Sequence, residues 1–156
     1  MNKHRSDETF HALIKDLTAH ETVSAMDGFI QHGSITCLEH CLHVAYTSYR
    51  LCRFLGLDYT AAARGALLHD LFLYDWHTTK LPKGLHAFRH PHIALANATR
   101  CFSLSQKEQD IIKKHMWPLT VRFPRYQESL VVSLVDKYCA VIETVQNLKR
   151  KKPEPG

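Results

Sequence analysis

Apolar positions recur at helical spacing through most of the chain. Phe10, Leu13, Ile14 and Leu17 share one face of a 3.6-residue repeat, after Ser6-Asp7-Glu8. Thr18-x-x-Glu21 has the form of a capping box ahead of Val23, Met26 and Ile30, so two short helices or one kinked helix are expected over the first thirty residues. Gly33 and Ser34 interrupt, and Thr36-x-x-Glu39 opens a long helix through Leu42, Ala45, Tyr49, Cys52 and Phe54 that stops at Gly56. Asp58 serves as N-cap for an alanine-rich helix from Tyr59 to Leu68. A loop with Pro82 and Gly84 follows, and His90-Pro91 is expected to open a helix over Ile93 to Phe102. Ser105-x-x-Glu108 caps a helix from Gln106 to Met116. The last helix, Tyr126 to about Leu148, carries Leu130, Leu134, Val135, Tyr138, Val141, Ile142 and Val145 on one broad stripe.

These elements predict an all-α fold of six or seven helices in a single domain. Residues 1–33 form N-terminal helices against the core, residues 34–148 the main helical domain, and residues 149–156 a disordered basic tail. A length of 156 residues leaves little room for a second domain, and 45% apolar with 22% charged residues is enough to build a core. No apolar run approaches the roughly 18 residues that cross a bilayer, which argues against membrane insertion and export. Five cysteines without a C-x-x-C pair read as free thiols in a reducing cytoplasm. The net charge of +5 favours anionic partners but is too diffuse to specify nucleic acid. No basic stripe interleaved with stacking aromatics appears outside the tail.

Histidine is the unusual component, at 12 residues. His69-Asp70 ends the apolar segment Gly65-Ala66-Leu67-Leu68, where an imidazole and a carboxylate are costly to bury unless satisfied. A divalent cation satisfies both; capping by each residue is the alternative. His40, His90, His115 and Asp136 lie at comparable depth in four further helical segments. Asp136 sits among Val132 and Val135 and needs a partner, and Lys137, adjacent in sequence, is not expected to face the same way.

In these residues the chain resembles the HD superfamily of metal-dependent phosphohydrolases. The matching positions are His40 in EHCLHVA, His69-Asp70 in ALLHDLF and Asp136 in SLVDKYC, with His90 in RHPHIALANA and His115 in KKHMWPLT matching the two extra histidines of the dinuclear subset. The resemblance covers roughly residues 34 to 145. It implies a metal set of His40, His69, Asp70, His90, His115 and Asp136. Asp70 and His69 would be central to catalysis, with Asp70 bridging two divalent transition-metal ions (Fe, Mn, Zn, Ni or Co), since magnesium suits a four-histidine site poorly. His43 and His92 are the fallbacks for His40 and His90, and His86 with His90 has the i, i+4 spacing of a metal pair.

The implied reaction is hydrolysis of a small phosphate ester or nucleotide by a metal-bridging hydroxide. Lys80, Lys83, Arg89, Lys114 and Arg122, with Lys113 and Arg125 nearby, are candidate contacts for an anionic substrate, and solvated surface cations are the bland reading. Asp75 is a candidate acceptor that orients a ligand histidine, or else a turn cap. Other HD-type proteins resemble the chain in the same ligands and use a di-iron centre as oxygenases, and a non-catalytic binding module is a third possibility. The Gly-Tyr-Pro signature of cyclic-dinucleotide phosphodiesterases is missing. The ligand order is also similar to that of HD hydrolases of symmetrical dinucleoside tetraphosphates, but no segment ties the chain to that substrate. A homodimer through an exposed helix face is also open.

Overall fold

The computed structural model describes residues 3–80 and 85–150. Seven α-helices run in the order α1 (Lys3–Thr18), α2 (Glu21–Ser24), α3 (Cys37–Phe54), α4 (Tyr59–Leu68), α5 (His86–Cys101), α6 (Gln106–Lys114) and α7 (Gln127–Arg150). A 3-10 turn, Ala25–Gly28, and a small antiparallel hairpin, β1 (Ile30–His32) and β2 (Ile35–Thr36), join α2 to α3. Helix α3 packs chiefly on α4 and α7, and α6 bridges α4 and α7. The core runs from Phe10, Ile14 and Leu17 of α1 through Val44, Tyr49, Leu67 and Leu68 to Ile111, Ile112 and Val132. The N-terminal helices therefore belong to the same core as the rest. All five cysteines are unpaired. No described helix is long and apolar enough to cross a membrane.

Local chemistry accounts for most helix boundaries. Thr36 and Ser105 form complete capping boxes with Glu39 and Glu108, and the Asp58 carboxylate accepts the Ala61 N–H. Alanines and Gly65 let α4 approach α6 so closely that a Cβ at Gly65 would lie 2.9 Å from two side-chain carbons of Ile111.

Several expectations are corrected. Thr18 ends α1 instead of capping α2; His20 is the N-cap, its ring nitrogen accepting the Thr22 N–H. Ile30 lies in the hairpin, whose turn uses Gly33 at φ 64, a conformation favourable to glycine. Helix α5 begins at His86, a turn before the expected start. Pro91 sits inside it, where its missing N–H leaves the Ala87 carbonyl without a helical donor. The stripe expected to bury α7 is largely at the surface: Leu134, Tyr138, Val141 and Val145 are exposed, and Val135 alone of the seven is buried. The inward face instead carries Ser129, Val132, Ser133, Asp136, Cys139 and Glu143. An apolar count misreads this helix because Asp136 and Glu143 are buried against His40 and Ser133 against the His115 carbonyl.

Candidate metal centre

Six predicted residues meet at one place although they come from separate parts of the chain. His40 lies in α3, His69 and Asp70 at and just beyond the C-terminus of α4, His90 in α5, His115 at the C-cap of α6 and Asp136 in α7. All six are buried, the three imidazoles of His40, His69 and His115 at 1% exposure or less.

Each imidazole is anchored on its outer nitrogen. The Nδ1–H groups of His69, His90 and His115 donate to the carbonyls of Ala66, His86 and Ile112, at 2.6, 2.9 and 2.8 Å. A carbonyl can only accept, so each of these rings carries a proton on Nδ1 and turns Nε2 inward. His40 Nδ1 is held in the same way by the Glu143 carboxylate at 2.8 Å. The inward atoms crowd together. His90 Nε2 lies 2.8 Å from His115 Nε2 and 3.2 Å from Asp70 Oδ1, and His40 Nε2 lies 3.1 Å from Asp136 Oδ1. His69 Nε2 is 3.5 Å from both Asp70 Oδ2 and Asp136 Oδ1, and His115 Nε2 is 3.5 Å from Asp70 Oδ1.

The result is a buried cluster of imidazole nitrogens and carboxylate oxygens packed close together. Two neutral imidazole nitrogens 2.8 Å apart repel unless a proton or cation lies between them, and His69 Nε2, Asp70 Oδ1 and Gln31 Oε1 are buried without a hydrogen-bond partner. Imidazole and carboxylate donors in this number suit divalent transition metals. Four groupings among the described residues have ligand atoms within 4.8 Å of one another: two drawn wholly from the six, His40, His69 and Asp136, and His69, Asp70 and His115, and two that reach beyond them, His32, His40 and Glu143, and Cys37, Cys41 and Asp70. Asp70 turns Oδ1 toward His90 and His115, and Oδ2 toward His69 and the Gln31 amide, which donates to it at 2.6 Å.

Electrostatics hold both carboxylates ionised and His115 neutral, while His69, against burial, is raised by Asp70 and Asp136. Burial opposes the charged form of Asp70, but His69, His90 and His115 outweigh it and hold the carboxyl well below the usual range. Asp136 is lowered likewise, against burial, by His40 and His69. Burial and the neighbouring His69 and His90 push His115 down to about 3, keeping it neutral. His40 goes the other way: burial would lower it, yet Asp136 and Glu143 raise it to about 10.

The site opens on a cavity of about 300 Å³ lined by Gln31, His32, Asp70, Trp76, His86, Ala87, His90, His115, Met116, Asp136, Lys137 and Ala140. Gln31, His32 and Trp76 also line an adjoining cavity of about 240 Å³ that reaches His77, Asn147 and Leu148. One wall is a column of rings: His77 against Trp76, Trp76 stacked on His86 at 5.2 Å, and His86 stacked on His90 at 4.5 Å.

Other expected residues lie elsewhere. Lys114 pairs with Asp110 at 2.7 Å and lines a separate cavity with Lys113 and Arg125. Arg122 lines another with Phe88 and His92, Lys80 and Arg89 are exposed, and Lys83 is outside the described residues. The described cation on the cavity wall is Lys137, whose long stem folds back so that Nζ lies 3.3 Å from Asp136 Oδ2 and donates to the His115 carbonyl. The expectation that it faces away from Asp136 is thus corrected. Asp75 touches none of the six; its carboxylate accepts the His77 N–H at 2.9 Å and caps a turn. The carboxylate that does touch a site histidine from behind is Glu143, which accepts from His40 Nδ1 at 2.8 Å and from His43 Nδ1 at 3.0 Å. Gln31 and His32, on the hairpin, were not singled out from the sequence. A buried carboxylate seven residues after Asp136 was the available signal for Glu143.

The family model for the HD domain matches residues 37–141, about two thirds of the chain. The chain belongs to the HD domain family. Members of this HD family bind divalent metals and are for the most part metal-dependent hydrolases, and the His/Asp clusters of this HD domain are of the kind that holds such ions. No curated protein and no solved structure matches the chain.

Proposed function

We propose that this HD protein is a phosphohydrolase with a two-ion centre that acts on a small phosphate ester. The observation that carries the reading is the convergence of four Nε2 atoms and two carboxylates, each histidine fixed from behind, at the floor of a cavity. Bound divalent ions supply Lewis acidity toward phosphoryl oxygens and a water acidified to near neutrality. In this reading His40, His69 and Asp136 would hold one ion, His90 and His115 would help hold another, and Asp70 would contribute to the centre.

The protein's own groups define the rest. Two divalent charges exceed the two carboxylates, which leaves a positive floor for a phosphoryl group. Lys137 adds one cation at the wall, and its bonds to the His115 carbonyl and Asp136 keep the ammonium beside the site. A volume of about 300 Å³ suits a phosphoryl group with a compact leaving alcohol, which can extend past Gln31 and Trp76 into the adjoining lobe. Trp76, His86 and His90 form a stiff wall that excludes water from one side.

The test is elemental analysis of untagged protein purified without added metal, followed by phosphate release from a panel of phosphomonoesters and nucleotides. Near two transition-metal ions per chain and metal-dependent phosphate release are expected. Failure to take up any divalent ion on reconstitution would overturn the reading. An iron centre that consumes dioxygen and releases no phosphate would replace it with the oxygenase chemistry.

A further inference from the structure

We infer that Glu143 is the positioning residue for the histidine of the α3 side of the centre, fixing the tautomer and aim of His40. This inference rests on the metal-centre reading above. Glu143 lies beyond the segment matched by the family model, which ends at residue 141. It is 3% exposed, yet among the described residues no guanidinium or ammonium pairs with it; its two oxygens accept from two imidazoles, His40 Nδ1 at 2.8 Å and His43 Nδ1 at 3.0 Å.

The geometry explains why a carboxylate stands there. The other three site histidines are fixed by helix carbonyls within their own segments, three or four residues back. His40 lies near the start of α3, as its fourth residue, and its outer nitrogen is held by a side chain of another element and not by a carbonyl of its own helix. Helix α7 supplies it. Asp136 and Glu143 are seven residues apart, two turns along one face, so a single helix presents a candidate ligand to His40 Nε2 and an anchor to His40 Nδ1. With a carboxylate on each side, His40 is compatible only with a proton on Nδ1 and a cation at Nε2, whether proton or metal. A carboxylate on Nδ1–H also makes Nε2 a stronger donor to a metal. His43, with 44% of its side chain exposed, donates to the second oxygen of Glu143 at the solvent edge.

The test compares wild type, Glu143→Gln, Glu143→Leu and, as a control, His43→Ala, each loaded with Co²⁺ and read by its visible absorption bands and by the rate of cobalt release to a chelator. Gln retains an oxygen that can accept from His40 Nδ1 without the charge, and Leu retains neither. Glu143→Leu is expected to bind one of its cobalt ions about 10- to 100-fold more weakly, with faster release and altered bands. Glu143→Gln is expected to fall between it and wild type, and His43→Ala to stay near wild type. If Glu143→Leu does not fold, the ordering of wild type, Gln and His43→Ala decides on its own. Cobalt affinity and release unchanged in both Glu143 variants, with wild type loading normally, would overturn the Glu143 role alone; no cobalt uptake by wild type would overturn the metal centre on which it rests.

Discussion

Replacing His115 by leucine should change sign between the metal-free and metal-loaded protein. His115 Nε2 faces His90 Nε2 at 2.8 Å and Asp70 Oδ1 at 3.5 Å in a fully buried setting. An unsatisfied buried polar group costs about 1–3 kcal/mol. Leucine of similar volume removes that cost and gives up one hydrogen bond, Nδ1–H to the Ile112 carbonyl, worth about 1 kcal/mol. The balance is a metal-free variant as stable as wild type or more stable by about 1–2 kcal/mol, and a Tm higher by about 2–8 °C. Metal reverses the order. An ion that binds only the folded state at 100 to 1,000 times its Kd contributes about 2.7–4.1 kcal/mol, and the variant loses much of this for the ion that His115 helps hold, while metal content drops toward one ion per chain. Thermal unfolding of both proteins, with chelator and with Co²⁺ or Mn²⁺, measures all four corners of the cycle. The reasoning is refuted if His115→Leu is equally destabilised with and without metal, because the imidazole would then be contributing packing and hydrogen bonding alone.

Asp70→Ala should abolish hydrolysis and remove at least one ion, since both oxygens face site histidines; full activity would sink the mechanism. Gly65→Val should destabilise the fold by about 2–3 kcal/mol in denaturant titrations, because even a Cβ there meets Ile111 at 2.9 Å. Asp110→Asn tests a pH dependence. Burial opposes the charge of Asp110, but Lys114 and the Arg125 N–H hold its carboxyl below its ordinary value of 3.8. The ionised form therefore adds stability above the unfolded value, and that stability is lost as pH falls through the lower folded value. The variant should be less stable than wild type by about 1–2 kcal/mol at pH 7, and the gap should close below about pH 4. A gap that stays constant down to pH 3 would show that the charge is not its source.

Capping chemistry made the starts of α3, α4 and α6 readable, since Thr36, Asp58 and Ser105 each satisfy helix N–H groups within three residues of themselves. His69-Asp70 and Asp136 stood out because polar residues on apolar helices are expensive to bury, whereas His40, His90 and His115 were chosen among the twelve histidines by the order of the HD pattern they resemble. The hairpin was not: its strands are two and three residues long and carry no alternating pattern. Pro91 misplaced the start of α5 because proline at the first turn is the commoner arrangement, whereas here it stands six residues in. The cationic contacts failed for a different reason. Lys114 and Arg122 are close in sequence to His115 but leave α6 and its following loop in other directions, and sequence proximity carries no information about which cavity a long side chain enters.

The clasp between α7 and the hairpin limits how this chain can vary in length. Asn147 Nδ2 donates to the His32 carbonyl at 3.0 Å, and its amide occupies the space where a Cβ on Gly33 would stand. Asp136, Glu143 and Asn147 thus fall on one strip of α7 within an arc of about 40°, since steps of seven and four residues nearly close whole turns. Insertion of one residue between 136 and 147 would rotate everything after it by about 100°, taking the anchor of His40 or the hairpin clasp away from the site. A seven-residue insertion would restore the angle but shift the clasp by about 10 Å. Length changes should therefore be absent from this stretch in sister sequences, and accumulate instead in the loop between α4 and α5.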